Sequence, residues 1–305
     1  MHLALLAWLS CQFSPALAHL VTVISSDKAP AFQEAADSLV RELVHGGVAR
    51  QDIALLSTAE FAELSLSNYD ARLIVTLGTD ALRQVASRGG KVPVLAGLIP
   101  RIAFERVLQD SPRKNPSAMA ALYLEQPVGR QLDLLRLALP AAHRIGVLWG
   151  PESIVQQPQL SAALAARGLE WSEGLVSEAT PLVSALRSAL NAADALLAMA
   201  DGSAFNASTA SNILLTSYRA RIPVMAFSPA YVKAGALLSV HSTATQAGAQ
   251  LASMTALFLQ TNVLPASQYP LDFSVTANEY VARSLGLTLD AKVLAERLRR
   301  LEKKP

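Results

Sequence analysis

The chain has little cysteine: one residue, Cys11, in 305. Cleavage after Ala18, argued below, would remove it. A mature chain without cysteine forms no disulfide, carries no thiol nucleophile and builds no cysteine-based metal site. Aromatic residues are sparse, at 6%, and net charge is only +2. No field of one sign invites nucleic acid or an anionic membrane surface. After the first residues, no apolar run approaches the roughly 20 needed to cross a bilayer. Catalytic signatures are missing as well: no Gly-x-Ser-x-Gly elbow, Walker loop, Gly-x-Gly-x-x-Gly or His-Glu-x-x-His occurs. The histidines His2, His19, His45, His143 and His241 are scattered, none paired at metal-ligand spacing. No cofactor and no metal are expected, and the chain does not read as an enzyme.

What is present begins with a short apolar core, Leu3 to Leu9, broken by Ser14 and Pro15. Ala16-Leu17-Ala18 then supplies the small residues of a signal-peptidase site. Residues 1–18 are therefore expected to be a cleaved signal peptide, and the mature protein is expected in the periplasm. The n-region holds only His2, with no Lys or Arg. Trp8-Leu9-Ser10 stands where a lipoprotein would carry small residues before Cys11.

Beyond residue 18, short β-branched runs alternate with helical periodicity. Leu20-Val21-Thr22-Val23-Ile24 suits a strand buried on both faces. Phe32, Ala36, Leu39, Val40, Leu43 and Val44 follow at helical spacing, stopped by Gly46-Gly47. Further strands are predicted at 53–56, 73–77, 92–96, 119–124, 145–149, 195–199, 223–227, 236–240 and 271–275. Such alternation means an α/β fold with parallel sheets.

The halves resemble each other. Lys91-Val92-Pro93-Val94-Leu95-Ala96 reappears as Arg221-Ile222-Pro223-Val224-Met225-Ala226. The runs ending at Gly78 and at Asp201 correspond, as do those ending at Ser25-Ser26 and at Trp149-Gly150. The spacing, about 123 to 130 residues in matching order, predicts two doubly wound lobes. Lobe 1 is expected to hold 19–124 plus about 244–268, and lobe 2 125–243 plus about 269–305. The loop-like stretches 109–117 and 261–269 suit crossings between lobes, forming a hinge.

Ligands of open parallel sheets bind beyond the carboxyl ends of the strands. Those ends supply the candidate ligand-binding residues: Ser25, Ser26, Gly78, Thr79, Pro100, Arg101, Trp149, Asp201, Ser203, Ser228 and His241. Short hydroxyls and glycines at helix starts donate hydrogen bonds to carboxylates or phosphates, and equally serve as helix caps. Arg101 is placed to pair either with an acidic solute or with Glu105, four residues on. Gly78-Thr79 and Asp201 to Ser203 are expected to grip opposite ends of a solute.

Several segments carry a family resemblance. These are Arg130-Gln131-Leu132-Asp133-Leu134-Leu135, Leu139-Pro140, Arg144-Ile145-Gly146-Val147-Leu148, Tyr231-Val232-Lys233-Ala234-Gly235-Ala236-Leu237 and Ala282-Arg283-Ser284-Leu285-Gly286-Leu287. The chain resembles the ABC-transporter substrate-binding proteins that include tryptophan and tyrosine uptake receptors. The resemblance implies a type I periplasmic-binding-protein fold with a hinge. It also implies a small-molecule solute and delivery to an inner-membrane ABC permease; separately, the protein is expected to act as a monomer.

Two departures stand out. Leu98-Ile99-Pro100 replaces the family's Thr-Asp-Pro, losing an acid. His241, Thr243, Ala244 and Thr245 occupy the place of Gly-x-Asp-Tyr-Tyr, losing an acid and two rings. Pro100-Arg101-x-x-Phe104-Glu105 and Gln126-Pro127-x-x-Arg130 look like a divergent branch associated with TonB-dependent receptors. The alternative function is accordingly a solute-sensing subunit that contacts such a receptor or a signalling partner.

Overall fold

The computed structural model describes residues 19–64, 71–88, 90–113 and 118–303. The expected signal segment, its cleavage site and Cys11 lie outside them. Among the described residues no helix is long and apolar enough to cross a membrane.

Five strands build the first sheet: β1 (His19–Ser25), β2 (Ile53–Ser57), β3 (Ala71–Leu77), β4 (Val94–Ile99) and β5 (Met119–Tyr123). Their spatial order is β2-β1-β3-β4-β5, parallel throughout. The helices between them are α1 (Pro30–His45), α2 (Thr58–Glu63), α3 (Thr79–Ser87) and α4 (Arg101–Asp110). The second sheet holds β6 (Arg144–Trp149), β7 (Glu170–Leu175), β8 (Ala195–Ala198), β9 (Val224–Ala226), β10 (Leu238–His241) and β11 (Ser274–Ala277). Its order is β11-β10-β9-β8-β6-β7. The helices accompanying it are α5 (Val128–Ala138), α6 (Gln157–Ala165), α7 (Leu182–Ala189), α8 (Ala210–Arg219) and α9 (Pro229–Ala234). Then come α10 (Ala244–Thr261), α11 (Glu279–Ser284) and α12 (Ala291–Glu302).

Apart from β11, the second sheet repeats the order of the first, with β7-β6-β8-β9-β10 standing for β2-β1-β3-β4-β5. The three sequence repeats fall on equivalent strands: β1 with β6, β3 with β8, β4 with β9. Two details differ from expectation. The edge strand β7, Glu-Trp-Ser-Glu-Gly-Leu, is too polar to announce itself. The last strand, β11, runs antiparallel to β10, so the second sheet is not wholly parallel.

Each sheet is covered on both faces by apolar clusters, as parallel sheets require. Val21, Val23, Leu73 and Val75 pack with Leu39 and Leu43 of α1 and with Leu251 and Phe258 of α10. Thus α10, which follows β10 in the chain, returns to complete the first lobe. Gly248 allows this close packing: a Cβ there would collide with the Ala35 carbonyl on α1. The chain then runs beside β5, where Gln268 pairs with Leu122, and crosses back to form β11. Three segments therefore join the lobes: β5 to α5, β10 to α10, and Gln268 to β11. The stretch 109–117, expected as a crossing, instead joins α4 to β5 within the first lobe. Its residues 114–117 lie outside the described residues.

At the end of β4 the register with β5 shifts between Ala96 and Ile99, and Leu98 adopts a left-handed φ of 51°. A non-glycine residue there is strained by about 1–3 kcal/mol. The bulge carries the chain into Pro100 and α4.

Candidate functional site

A cavity of about 300 Å3 lies at the carboxyl ends of the strands, with walls from both lobes. The first lobe contributes Pro100, Ile102, Ala103 and Arg106 from the start of α4. The crossing after β5 contributes Glu125 and Gln126. Opposite stand Glu152 and Gln156 after β6, Met199 to Gly202 after β8, and Phe205, Phe227 and Val240. Phe205 and Phe227 meet edge to face, and both touch Tyr231. Glu125 and these two phenylalanine rings line the same cavity.

Glu125 is a carboxylate held by backbone N–H groups, its own and that of Arg101. Both of its oxygens accept from the Arg101 backbone N–H, at 2.9 and 3.1 Å. Burial pushes its carboxyl above the ordinary value, against the opposing pull of backbone hydrogen bonds. Gln126 beside it is spent on structure. Its Nε2 donates to Ser242 Oγ at 2.9 Å, and its Oε1 accepts from Arg130 at 2.7 Å.

Asp201 lines the cavity yet is also saturated. Oδ2 accepts from the N–H groups of Glu152 and Ser153, at 2.9 and 2.7 Å. Oδ1 accepts from Ser203 and Ala204, at 2.9 and 3.3 Å. This buried carboxylate ties the loop after β6 to the loop after β8. It shapes the wall and has little capacity left for a solute.

Two side-chain bridges span the lobes beside the cavity. Arg106 Nη1 faces Glu152 Oε1 at 3.9 Å. Arg101 Nη1 donates to Gln159 Oε1 on α6 at 3.4 Å and to Tyr269 Oη at 3.2 Å. Arg101 Nε also meets Glu105 at 2.8 Å, the i to i+4 pairing that the spacing allows.

A third knot sits at the crossings themselves. Arg130, only 8% exposed, donates to Gln126, to the Pro270 and Leu271 carbonyls, and to both carboxylate oxygens of Glu302 on α12. Its guanidinium lies 4.6 Å over the Phe273 ring. Through Gln126 and Ser242, whose hydroxyl donates to the Asp272 carbonyl, this network touches all three crossings.

Of the residues expected from the sequence, Pro100 and Asp201 line this cavity together. Ser25 and Ser26 line a different hollow of about 670 Å3, between the ends of β1 and β2. Gly78 lies against Ser26 and Phe32, with no room for a side chain, and Thr79 opens onto a third hollow with Arg83. Gly78-Thr79 and Asp201 therefore do not share one cavity. Trp149 is fully buried, its indole N–H bonded to Glu173 at 2.9 Å. Ser203 is exposed and bonds Asp201 through its N–H. Ser228 begins α9 without a side-chain cap bond. His241 is half-buried at the end of β10, 3.4 Å from Ser239 Oγ, and burial lowers its pKa.

Sequence reasoning passed over Glu125, Arg106, Glu152, Phe205 and Phe227. Glu125 stands just beyond β5, so the strand-end rule reaches it once that end is counted with the others. Among the described residues no group of three or more His, Cys, Asp and Glu is placed to hold a metal ion.

Comparison with known proteins places this arrangement. No curated protein sequence matches the chain. Solved structures do, at identities that speak for the fold alone. A substrate-binding protein with adhesive properties from Clostridium difficile, in its ligand-free open form, shares 17% identity at a TM-score of 0.72, covering 89% of this chain and 96% of that one. A domain from Streptococcus pneumonia in complex with L-Trp shares 19% at 0.62, covering 91% and 97%. A conserved domain protein from Vibrio cholerae shares 20% at 0.62, covering 92% and 98%. The two sheets have the type I periplasmic-binding-protein arrangement. The family model for ABC transporter substrate binding proteins matches residues 49–299, and the chain belongs to that family.

Proposed function

We propose that this protein is a solute receptor that closes on one small molecule between its lobes and presents it to an ABC-type permease. The observation that carries the reading is the cavity of about 300 Å3 with walls from both lobes and polar bridges across it. Its volume is that of roughly ten waters, so it suits a solute of about ten to fifteen non-hydrogen atoms. Lobe 1 comprises 19–124 with about 244–268, and lobe 2 comprises 125–243 with about 269–305. The three crossings form the hinge, and closure changes the surface a permease meets.

The family is a binding class, which supports a role without catalysis. It is normally periplasmic or extracellular, which supports export with cleavage after Ala18 and work in the periplasm.

Thermal-shift screening of the purified protein against amino acids, amines, small carboxylates, nucleosides and sugars tests the reading. A true ligand at a hundredfold its Kd adds about 2.7 kcal/mol of stability. Ala200 is exposed and lines the cavity, so Ala200→Phe should abolish the shift while leaving the unliganded melting temperature in place. A shift that survives Ala200→Phe puts the solute elsewhere and sinks the assignment of the cleft.

A further inference from the structure

We propose that the outward face of α12 docks on an anionic lipid surface through Lys292, Arg297, Arg300 and Lys303. The proposal is independent of the cleft and gives the protein a second partner besides its solute.

The net charge of +2, too small to invite an anionic surface when spread over the whole chain, is unevenly distributed. Helix α12 buries Leu294, Ala295 and Leu298 beside α5 and β11 and turns its other side to solvent. Three ionised groups of this segment are engaged within the fold. Asp290 accepts from the Lys292 and Val293 N–H groups, at 2.8 and 3.1 Å, and so caps the first turn. Arg299 donates to Asp272 and to the Phe273 carbonyl. Glu302 is held by Arg130. Lys292, Arg297, Arg300 and Lys303 are exposed and have no ion pair among the described residues, and Glu296 is the one acid that shares their face. Four cations less one acid give this face +3, so the remainder of the chain sums to −1.

Helix geometry gathers these cations. At about 100° per residue they fall within an arc of about 140°, and from Lys292 to Lys303 the face runs about 16 Å. Val293 and Leu301, 49% and 43% exposed, stand on the same side of the helix.

A layer of lipid phosphates fits this pattern better than a protein or a nucleic acid. The face of a single helix is convex, and α12 borders none of the hollows at the strand ends. It carries no aromatic side chain to anchor in a partner's pocket or to stack on a base. Long Lys and Arg side chains spread over an arc can all reach a flat layer of phosphates, and two aliphatic side chains between them can sink among the head groups. Each cation close to an anionic bilayer is worth about fivefold in affinity. Contact through one helix of the second sheet leaves the lobes free to move about their crossings.

Co-sedimentation with lipid vesicles tests the proposal, with phosphatidylglycerol and phosphatidylcholine in equal parts against phosphatidylcholine alone. Apolar attraction is common to the two, so the difference reads the charge. At about 0.02 M salt the protein should bind the anionic vesicles at least tenfold more tightly, and about 0.3 M salt should remove most of that preference. Arg297→Glu with Arg300→Glu should cost tenfold or more. Lys292→Glu with Lys303→Glu should do the same, so a pair that fails to fold leaves the other to decide. Melting temperatures of both pairs should stay within about 2 °C of wild type, since the sites are exposed. Lys91→Glu with Lys233→Glu makes the same change of charge at exposed sites elsewhere and should cost less than about threefold. Equal affinity for the two vesicles, or none for either, overturns the proposal. So does a folded α12 variant that binds like wild type, or a loss as large with Lys91→Glu and Lys233→Glu, which assigns the attraction to total charge. If the protein binds polyglutamate and not the vesicles, the face belongs to an acidic polypeptide and the proposal falls.

Discussion

Asp201 lies against Gly150 so closely that a Cβ on the glycine would overlap the carboxylate. The contact is needed because Asp201 must reach the N–H groups of Glu152 and Ser153 past the end of β6. Gly150→Ala should push the carboxylate off its four donors and cost about 2–4 kcal/mol. That corresponds to a fall in melting temperature of roughly 5 °C or more. Asp201→Asn, which offers one acceptor oxygen in place of two, should also destabilise the fold. Melting within a degree or two of wild type for Gly150→Ala would contradict this account of the wall.

Arg130 holds three crossings and the last helix at once. Arg130→Met keeps an apolar stem over Phe273 but leaves Glu302, Gln126 and two backbone carbonyls without their donor. Removing one partner of a largely buried charge pair costs about 3–5 kcal/mol. Urea unfolding should show the loss, with a single transition retained because the crossings belong to both lobes. A change below about 1 kcal/mol would mean that the knot is incidental.

The Arg106–Glu152 bridge is exposed at both ends, at 62% and 47%, so its contribution is small. Arg106→Ala should leave unfolding stability within about 0.5 kcal/mol of wild type. Its effect belongs to release of the solute, whose rate should rise by a few-fold, and added salt should mimic it. Stopped-flow displacement measures that rate. An unchanged rate, in low salt as well as high, rules out the bridge as a clasp.

His241 gives the fold a pH dependence on the acid side. Burial lowers its pKa in the folded protein from the ordinary 6.5. Unfolding then takes up a proton between the two values, so stability is complete above 6.5 and declines as pH falls below it. His241→Asn should flatten that decline. Urea midpoints at pH 7.5 and 5.5 make the comparison, and an identical difference in both proteins would acquit His241.

Much of the fold was legible because its strands are short, apolar and β-branched. Runs such as Leu73-Ile74-Val75 have no alternative to burial on both faces, and their repetition in Leu196-Leu197-Ala198 marked equivalent strands of two lobes. β7 was hidden because an edge strand shows one face to water and reads as polar. The site was harder. Strand ends say where a ligand goes but not which polar atoms are free to meet it. Asp201 and Trp149 occupy strand ends and have their polar atoms engaged by neighbours, a matter of tertiary hydrogen bonding that no local pattern records. Glu125 was missed for the opposite reason. It follows Leu124 with no glycine or hydroxyl to mark a ligand loop, and only the cavity gives it meaning.

The return of α10 to α1 has a consequence for the order in which the protein matures. Helix α1 is made early, yet the helix that covers it is the eighteen residues Ala244–Thr261. Until that segment has been synthesised, α1 can lie on its sheet, but its flank at Ala35 and Ser38 and the Gly97 face of β4 lack the helix that covers them. The first half of the chain therefore cannot lock into its final form as it emerges, unlike an ordinary N-terminal domain. Commitment waits for a distant segment, and the first lobe is unfinished until the chain has been made as far as Thr261.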